Sequence, residues 1–291
     1  DEDEIVEALE FAKEKKLPVF VLGGGSNILV SDKGFDGLVI KIQNSKFKIQ
    51  NYTIDCDAGC PLSKIVSESI KSGLAGLEWA IGVPGTVAGA VRGNAGCFGG
   101  EMSGLVKMVE AVDLESLSKN KFNKKECEFN YRDSIFKRNK KLLITKVVFE
   151  LAKGNMEKSR QKISEISKVR KEKQPVGLAC PGSFFKNPVV KDKKIIEEFE
   201  KDTGARIGDN KNIFKYTGWE EKIPAAYLID RAGLKSKKIG GAMVSENNAN
   251  FIVNTGGATA EDVIALAAVV KTRVRNKFGI QLQEEVQMMG F

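Results

Sequence analysis

The chain has 291 residues, 42% apolar and 29% charged, with 46 Lys and Arg against 38 Asp and Glu. This length predicts two or three domains, and no apolar run is long enough for a membrane span. There is no histidine and there are only five scattered cysteines, which excludes Ser-His-Asp and Cys-His catalysis and histidyl linkage of a flavin, and argues for reduced thiols and no metal site.

Ile5, Leu9 and Ala12 mark an N-terminal amphipathic helix. It lacks the apolar stretch of a signal peptide; with no initiator Met, upstream residues are expected. "PVFVLGGGSNILVSD" reads as strand, glycine turn, strand, and "GLVIKI" as another strand. "FKIQNYTIDCDAG" alternates about Asn51 and predicts a hairpin. Pro61 opens a helix that Gly73 closes. "LVKMVEAVDLE" and "KLLITKVVFEL" are strands, and residues 155–173 form a charged connector helix with a stripe at Ile163, Ile166 and Val169. Helices follow around Ile195–Phe199 and over Pro224–Gly233, then the strand "NFIVNTGG". The best-marked helix has Thr259 as N-cap and Asp262 three residues on, a stripe of Val263, Leu266, Val270 and Val274, and Gly279 as its stop. "IQLQEEVQMM" is a closing strand.

Basic clusters at 121–125, 137–141, 168–173 and 235–238 suit solvated faces, nucleic acid or a polyanionic ligand. No aromatics interleave with them as in single-strand binders, so a phosphate-bearing ligand is the better use of the charge. "GGGSN" (23–27) runs into a strand, so it is no Rossmann loop; it reads as a hairpin turn or as backbone open to an anion. "GVPGTVAGAVRGNAGCFGG" (82–100) repeats Gly at 82, 85, 89, 93 and 96, which suits close backbone packing or a phosphate at a helix start. In "YRDSIF", Arg132 is either a carboxylate partner or a structural partner of Asp133. In the last strand, Glu284 interrupts the apolar row and Glu285 lies on the other face; spacing does not choose between them, although Glu284 is the naive candidate. Ser183, in "PGSFFKNP", is a turn cap or an acid toward a strongly basic carbanion or enolate.

Taken in order, "VLGGGSNILVSD", "GVPGTVAGAVRGNAG", "YRDSIFK", "GSFFKNP", "PAAYLIDRAGLKSKKIGGAMVSENNANFIVN" and "GIQLQEEV" resemble the UDP-N-acetylenolpyruvoylglucosamine reductase family, also called UDP-N-acetylmuramate dehydrogenase, over residues 18 to 289. The match looks like the shorter subclass, without a tyrosine loop over the substrate. Asn248 stands where that family frequently has His.

The resemblance implies an α+β fold: a two-part FAD-binding domain of the vanillyl-alcohol-oxidase type and a C-terminal α+β substrate domain. Its parts would be residues 1–56 joined by the C-terminal strand 281–291, then 57–172, then 173–280. It implies a noncovalent FAD enzyme of peptidoglycan synthesis and cell-wall biogenesis, acting in cell shape and division. Such an enzyme would be cytoplasmic and monomeric, with no nucleic-acid partner and no metal. By the motifs, Arg132, Ser183 and Glu285 take the catalytic positions, so the family pattern picks Glu285 over Glu284. Gly23, Gly24, Gly25, Ser26, Asn27, Gly82, Val83, Pro84, Gly85, Thr86 and Gly89 take the FAD-binding stretches, and Lys173 and Asn187 lie near the substrate.

NADPH would reduce FAD, and hydride would pass from flavin N5 to the vinyl carbon of UDP-N-acetylglucosamine enolpyruvate, giving UDP-N-acetylmuramate. Arg132 and Glu285 would stabilise the charge that develops on the substrate. Ser183 would protonate its α-carbon, because an enediolate is basic enough to take a hydroxyl proton.

Overall fold

A computed structural model describes residues 2–205 and 222–291. They form two compact units. The first holds the residues up to Gly25 and Asp36–Ser167; the second holds Ser26–Phe35 and the described residues from Lys168 onward. Among the described residues no helix is long and apolar enough to cross a membrane.

The first unit is built on a five-stranded antiparallel sheet. Its order is Lys119–Asn123, Val106–Asp113, Leu142–Glu150, Thr53–Asp57, Phe47–Gln50. The predicted hairpin about Asn51 is its edge, and Asn51 takes φ +53° in the turn, a conformation that Asn tolerates better than most side chains. Alternate residues Ile54 and Cys56 point into the core. Helix Leu62–Lys71 lays Leu62, Ile65, Val66 and Ile70 against them, after Pro61 at its start. Trp79, Phe136 and Phe149 fill the same core.

Buried Glu78 accepts from Ser159 Oγ (2.6 Å) and from the Gly76 N–H (2.9 Å). Burial would raise its pKa, yet these bonds hold the carboxyl below its usual range. The contact ties the first turn of the connector helix, Met156–Lys173, to the unit.

The strands flanking the first glycine run are not a hairpin. Val19–Leu22 pairs in parallel with Leu38–Lys41, whereas Ile28–Val30 pairs in parallel with Gln287–Met289. Helix Glu2–Glu14 brings Leu9 against Ile40 and Leu143.

In the second unit, Lys238–Ile239, Ala242–Val244 and Ile252–Asn254 make an antiparallel sheet beside helix Ala260–Phe278. The capping box forms as predicted: Thr259 Oγ1 accepts from the Asp262 N–H (3.0 Å), and Asp262 accepts from the Thr259 N–H (3.1 Å). Bonds from the Thr259 and Gly241 N–H groups hold the Asp262 carboxyl below its usual range. Val263, Leu266, Val270 and Val274 are all buried, and Gly279 ends the helix in the left-handed conformation.

The expected closing strand is shorter than its pattern, covering only Gln287–Met289. Gln283–Glu285 pair instead with Phe184–Lys186. This change of partner breaks the period-2 row: Leu282 and Val286 are buried, but then Met289, not Met288.

Candidate active site

The first unit brings its two glycine segments together. A Cβ on Gly24 would lie 2.6 Å from Gly85 Cα, and one on Gly23 would lie 2.9 Å from Thr86 Oγ1. Glycine is therefore required at 24 by a neighbouring backbone, a different reason from the approach of an anion. Gly25, Gly82 and Gly85 adopt φ of +70°, +72° and +106°. Gly24, Gly25, Gly82 and Pro84 are exposed, with Val83 and Gly85 half-buried. Thr86 caps helix Val87–Arg92 by accepting from the Gly89 N–H at 3.3 Å, and the Leu62 N–H donates to Gly85 O at 3.0 Å. Two abutting glycine-rich loops, exposed at Gly24, Gly25 and Gly82, fit a phosphate-bearing cofactor.

Gly24→Val would press its side chain into Gly85, and such overpacking costs about 1–3 kcal/mol. We expect a lower melting temperature and a lower flavin-to-protein absorbance ratio than wild type. Equal flavin content would remove Gly24 from the cofactor loop.

Arg132 sits in a two-residue turn closed by reciprocal 3.0 Å bonds between Asn130 and Asp133, and takes φ +53° there. Three alternate residues lace this turn to the second glycine segment. Asn130 O accepts from Asn94 Nδ2 (2.9 Å), Arg132 NH2 donates to Gly96 O (2.6 Å), and Ser134 Oγ donates to Arg92 O (2.7 Å). Asp133 is held by Arg138. Asn94 and Ser134, both buried, carry no sequence signal that marks them as supports.

Ser183 lies in the second unit on an extended segment gripped from two sides. On one side it bridges to Phe251, and the Phe184 N–H donates to Asn250 O (2.7 Å). On the other, the Glu285 N–H donates to Phe184 O and the Lys186 N–H to Gln283 O, each at 2.8 Å. Ser183 and Glu285 are thus half-buried on neighbouring strands. Among the described residues the Ser183 hydroxyl has no hydrogen-bond partner.

Ser26 and Asn27 belong to this second unit. Asn27 Nδ2 donates to Glu285 O (3.2 Å), and Asn27 O accepts from the Gln287 N–H (3.0 Å). Glu284 is held by Lys271 at 2.7 Å. Asn187 Oδ1 accepts from the Ala225 N–H (3.0 Å) at the start of helix Ala225–Arg231, and exposed Lys173 ends the connector helix.

Residues 1–115 match an FAD binding domain. The chain is an FAD-dependent oxidoreductase. Residues 174–289 match the C-terminal domain of UDP-N-acetylenolpyruvoylglucosamine reductase. The enzyme of that name from Solibacter usitatus is 36% identical over 290 residues, 100% of this chain and 88% of that protein. Its counterpart from Caldanaerobacter subterraneus subsp. tengcongensis is 35% identical over 289 residues, 99% and 84% of the two chains. The crystal structure of the Thermus caldophilus enzyme superposes with a TM-score of 0.75 at 28% identity, over 99% of this chain and 90% of that one. This chain belongs to the UDP-N-acetylenolpyruvoylglucosamine reductase family.

Proposed function

We propose that the protein reduces UDP-N-acetylglucosamine enolpyruvate to UDP-N-acetylmuramate at the expense of NADPH, in cytoplasmic peptidoglycan precursor synthesis. The observation that carries this reading is the pairing of the Ser183 segment with the Glu285 segment inside the matched C-terminal domain. Bound FAD would supply hydride storage between NADPH and the enolpyruvyl ether. Gly23, Gly24, Gly25, Gly82, Val83, Gly85 and Thr86 would hold it through the abutting loops. Ser183 would donate its proton to the substrate α-carbon, and a hydroxyl with no partner among the described residues is suited to point at an incoming atom. Arg132 and Glu285 would stabilise negative charge on the substrate carboxylate side. Lys173 would meet the substrate's phosphates, and the Asn187 amide would face its polar groups.

The functional partition into 1–56 with 281–291, 57–172 and 173–280 is part of this proposal. The parallel pairing of Gln287–Met289 with Ile28–Val30 supports joining the C-terminal strand to residues 28–30 of that first part, a stretch that lies in the second compact unit.

The test is direct. Purified protein should show flavin absorbance, and its anaerobic NADPH oxidation should go to completion only when the enolpyruvyl sugar nucleotide is added, with UDP-N-acetylmuramate formed. Flavin reduction by NADPH with no reoxidation by that substrate would assign the chain to a different oxidoreductase reaction.

A further inference from the structure

We propose that Asn250 is a positioning residue that sets the direction of the Ser183 hydroxyl. The inference rests on the reading of Ser183 as proton donor. Asn250 is buried, 5% exposed, and a buried amide is tolerated only when its polar atoms are bonded. Its Oδ1 accepts from the Phe185 N–H (3.0 Å) and its Nδ2 donates to Phe185 O (2.8 Å). Its backbone O accepts from the Phe184 N–H (2.7 Å), and its own N–H donates to Asn248 Oδ1 (3.0 Å). One residue thus takes up three backbone groups of the two residues after Ser183. The carboxamide presents an N–H and a C=O side by side as a peptide does, so it acts as a strand neighbour. The buried rings of Phe184 and Phe185 set how deep the segment sits. The side-chain amide holds the peptide groups on both sides of Phe185, and through them the run of the backbone that leads back to Ser183. A displacement of about 1 Å at a reacting group is enough to lose about 10²-fold in rate.

The experiment compares wild type, Ser183→Ala, Asn250→Ala and the double variant, all loaded with FAD. Two rates are read by stopped flow: reduction by NADPH, and reoxidation by UDP-N-acetylglucosamine enolpyruvate. Asn250→Ala should reoxidise about 10²-fold more slowly while NADPH reduces it at the wild-type rate. In the Ser183→Ala background the same change should cost nothing further, because no hydroxyl remains to be aimed. An equal further loss in that background, or equal loss in both rates, would make Asn250 a structural residue and overturn the proposal. A Ser183→Ala enzyme that reoxidises at the wild-type rate would remove the proton-donor reading, and this inference with it. If Asn250→Ala does not fold, Asn250→Asp serves. Its neutral acid can bond both Phe185 groups and its carboxylate only one, so reoxidation should quicken as pH falls; a pH profile like that of wild type would overturn the proposal.

Discussion

Ser183→Ala enzyme should be reduced by NADPH at the wild-type rate and reoxidised by UDP-N-acetylglucosamine enolpyruvate about 10²- to 10⁴-fold more slowly, the usual effect of losing a positioned general acid. The first half-reaction asks nothing of a proton donor on the substrate side, so only the second should respond. Ser183→Cys should recover part of the loss, because a thiol at the same place can also donate. Sulfur is larger than oxygen, and fully buried Phe184 and Phe185 follow directly in the chain, so recovery should be partial. A turn cap would behave otherwise: its loss would lower stability by about 1 kcal/mol and leave both half-reactions intact. Wild-type reoxidation of Ser183→Ala, with product formed, would show that the proton comes from elsewhere.

Arg132→Ala should slow reoxidation by about 10²- to 10³-fold, the range for losing one donor aimed at developing charge. Reduction by NADPH should change little, since that step builds no charge opposite the guanidinium. The backbone offers a control. Arg132 holds φ +53°, which costs a side chain with a Cβ roughly 1–2 kcal/mol and glycine almost nothing. Arg132→Gly should therefore lose as much rate as Arg132→Ala without its conformational strain. If both half-reactions fall together in both variants, Arg132 serves the fold and not the substrate.

Legibility in the sequence followed the range of the interaction. The Thr259–Asp262 capping box and the buried stripe of that helix were readable because both ends lie within a few residues. So was the hairpin about Asn51. The glycine run at 23–25 was readable as a special turn, but its partner was not: the reason for Gly24 is the backbone of Gly85. The row from Ile280 to Met288 misled in a similar way. Its period assumes one strand partner, and the segment has two in succession. Spacing alone does not choose between Glu285 and Glu284, the naive candidate, which is ion-paired with Lys271; only the family pattern points to Glu285. Asn250 gave no signal, since a polar residue in "NNANF" looks like any loop asparagine until its amide is seen on Phe185.

The parallel pairing of Ile28–Val30 with Gln287–Met289 also has a meaning in time. Asn27 and Glu285 are joined across 258 positions of chain. Closing a flexible loop of that length costs about 5 kcal/mol in chain entropy, before any constant contribution. During synthesis the polypeptide next to the first glycine run must wait for its strand partner until almost all of the residues described have been made. Until residues 287–289 are made, a nascent chain carries Ile28, Leu29 and Val30 without this strand partner, as an apolar edge of the kind that invites association with other chains. Gln287–Met289, the last of the described strands in chain order, is the one that covers it.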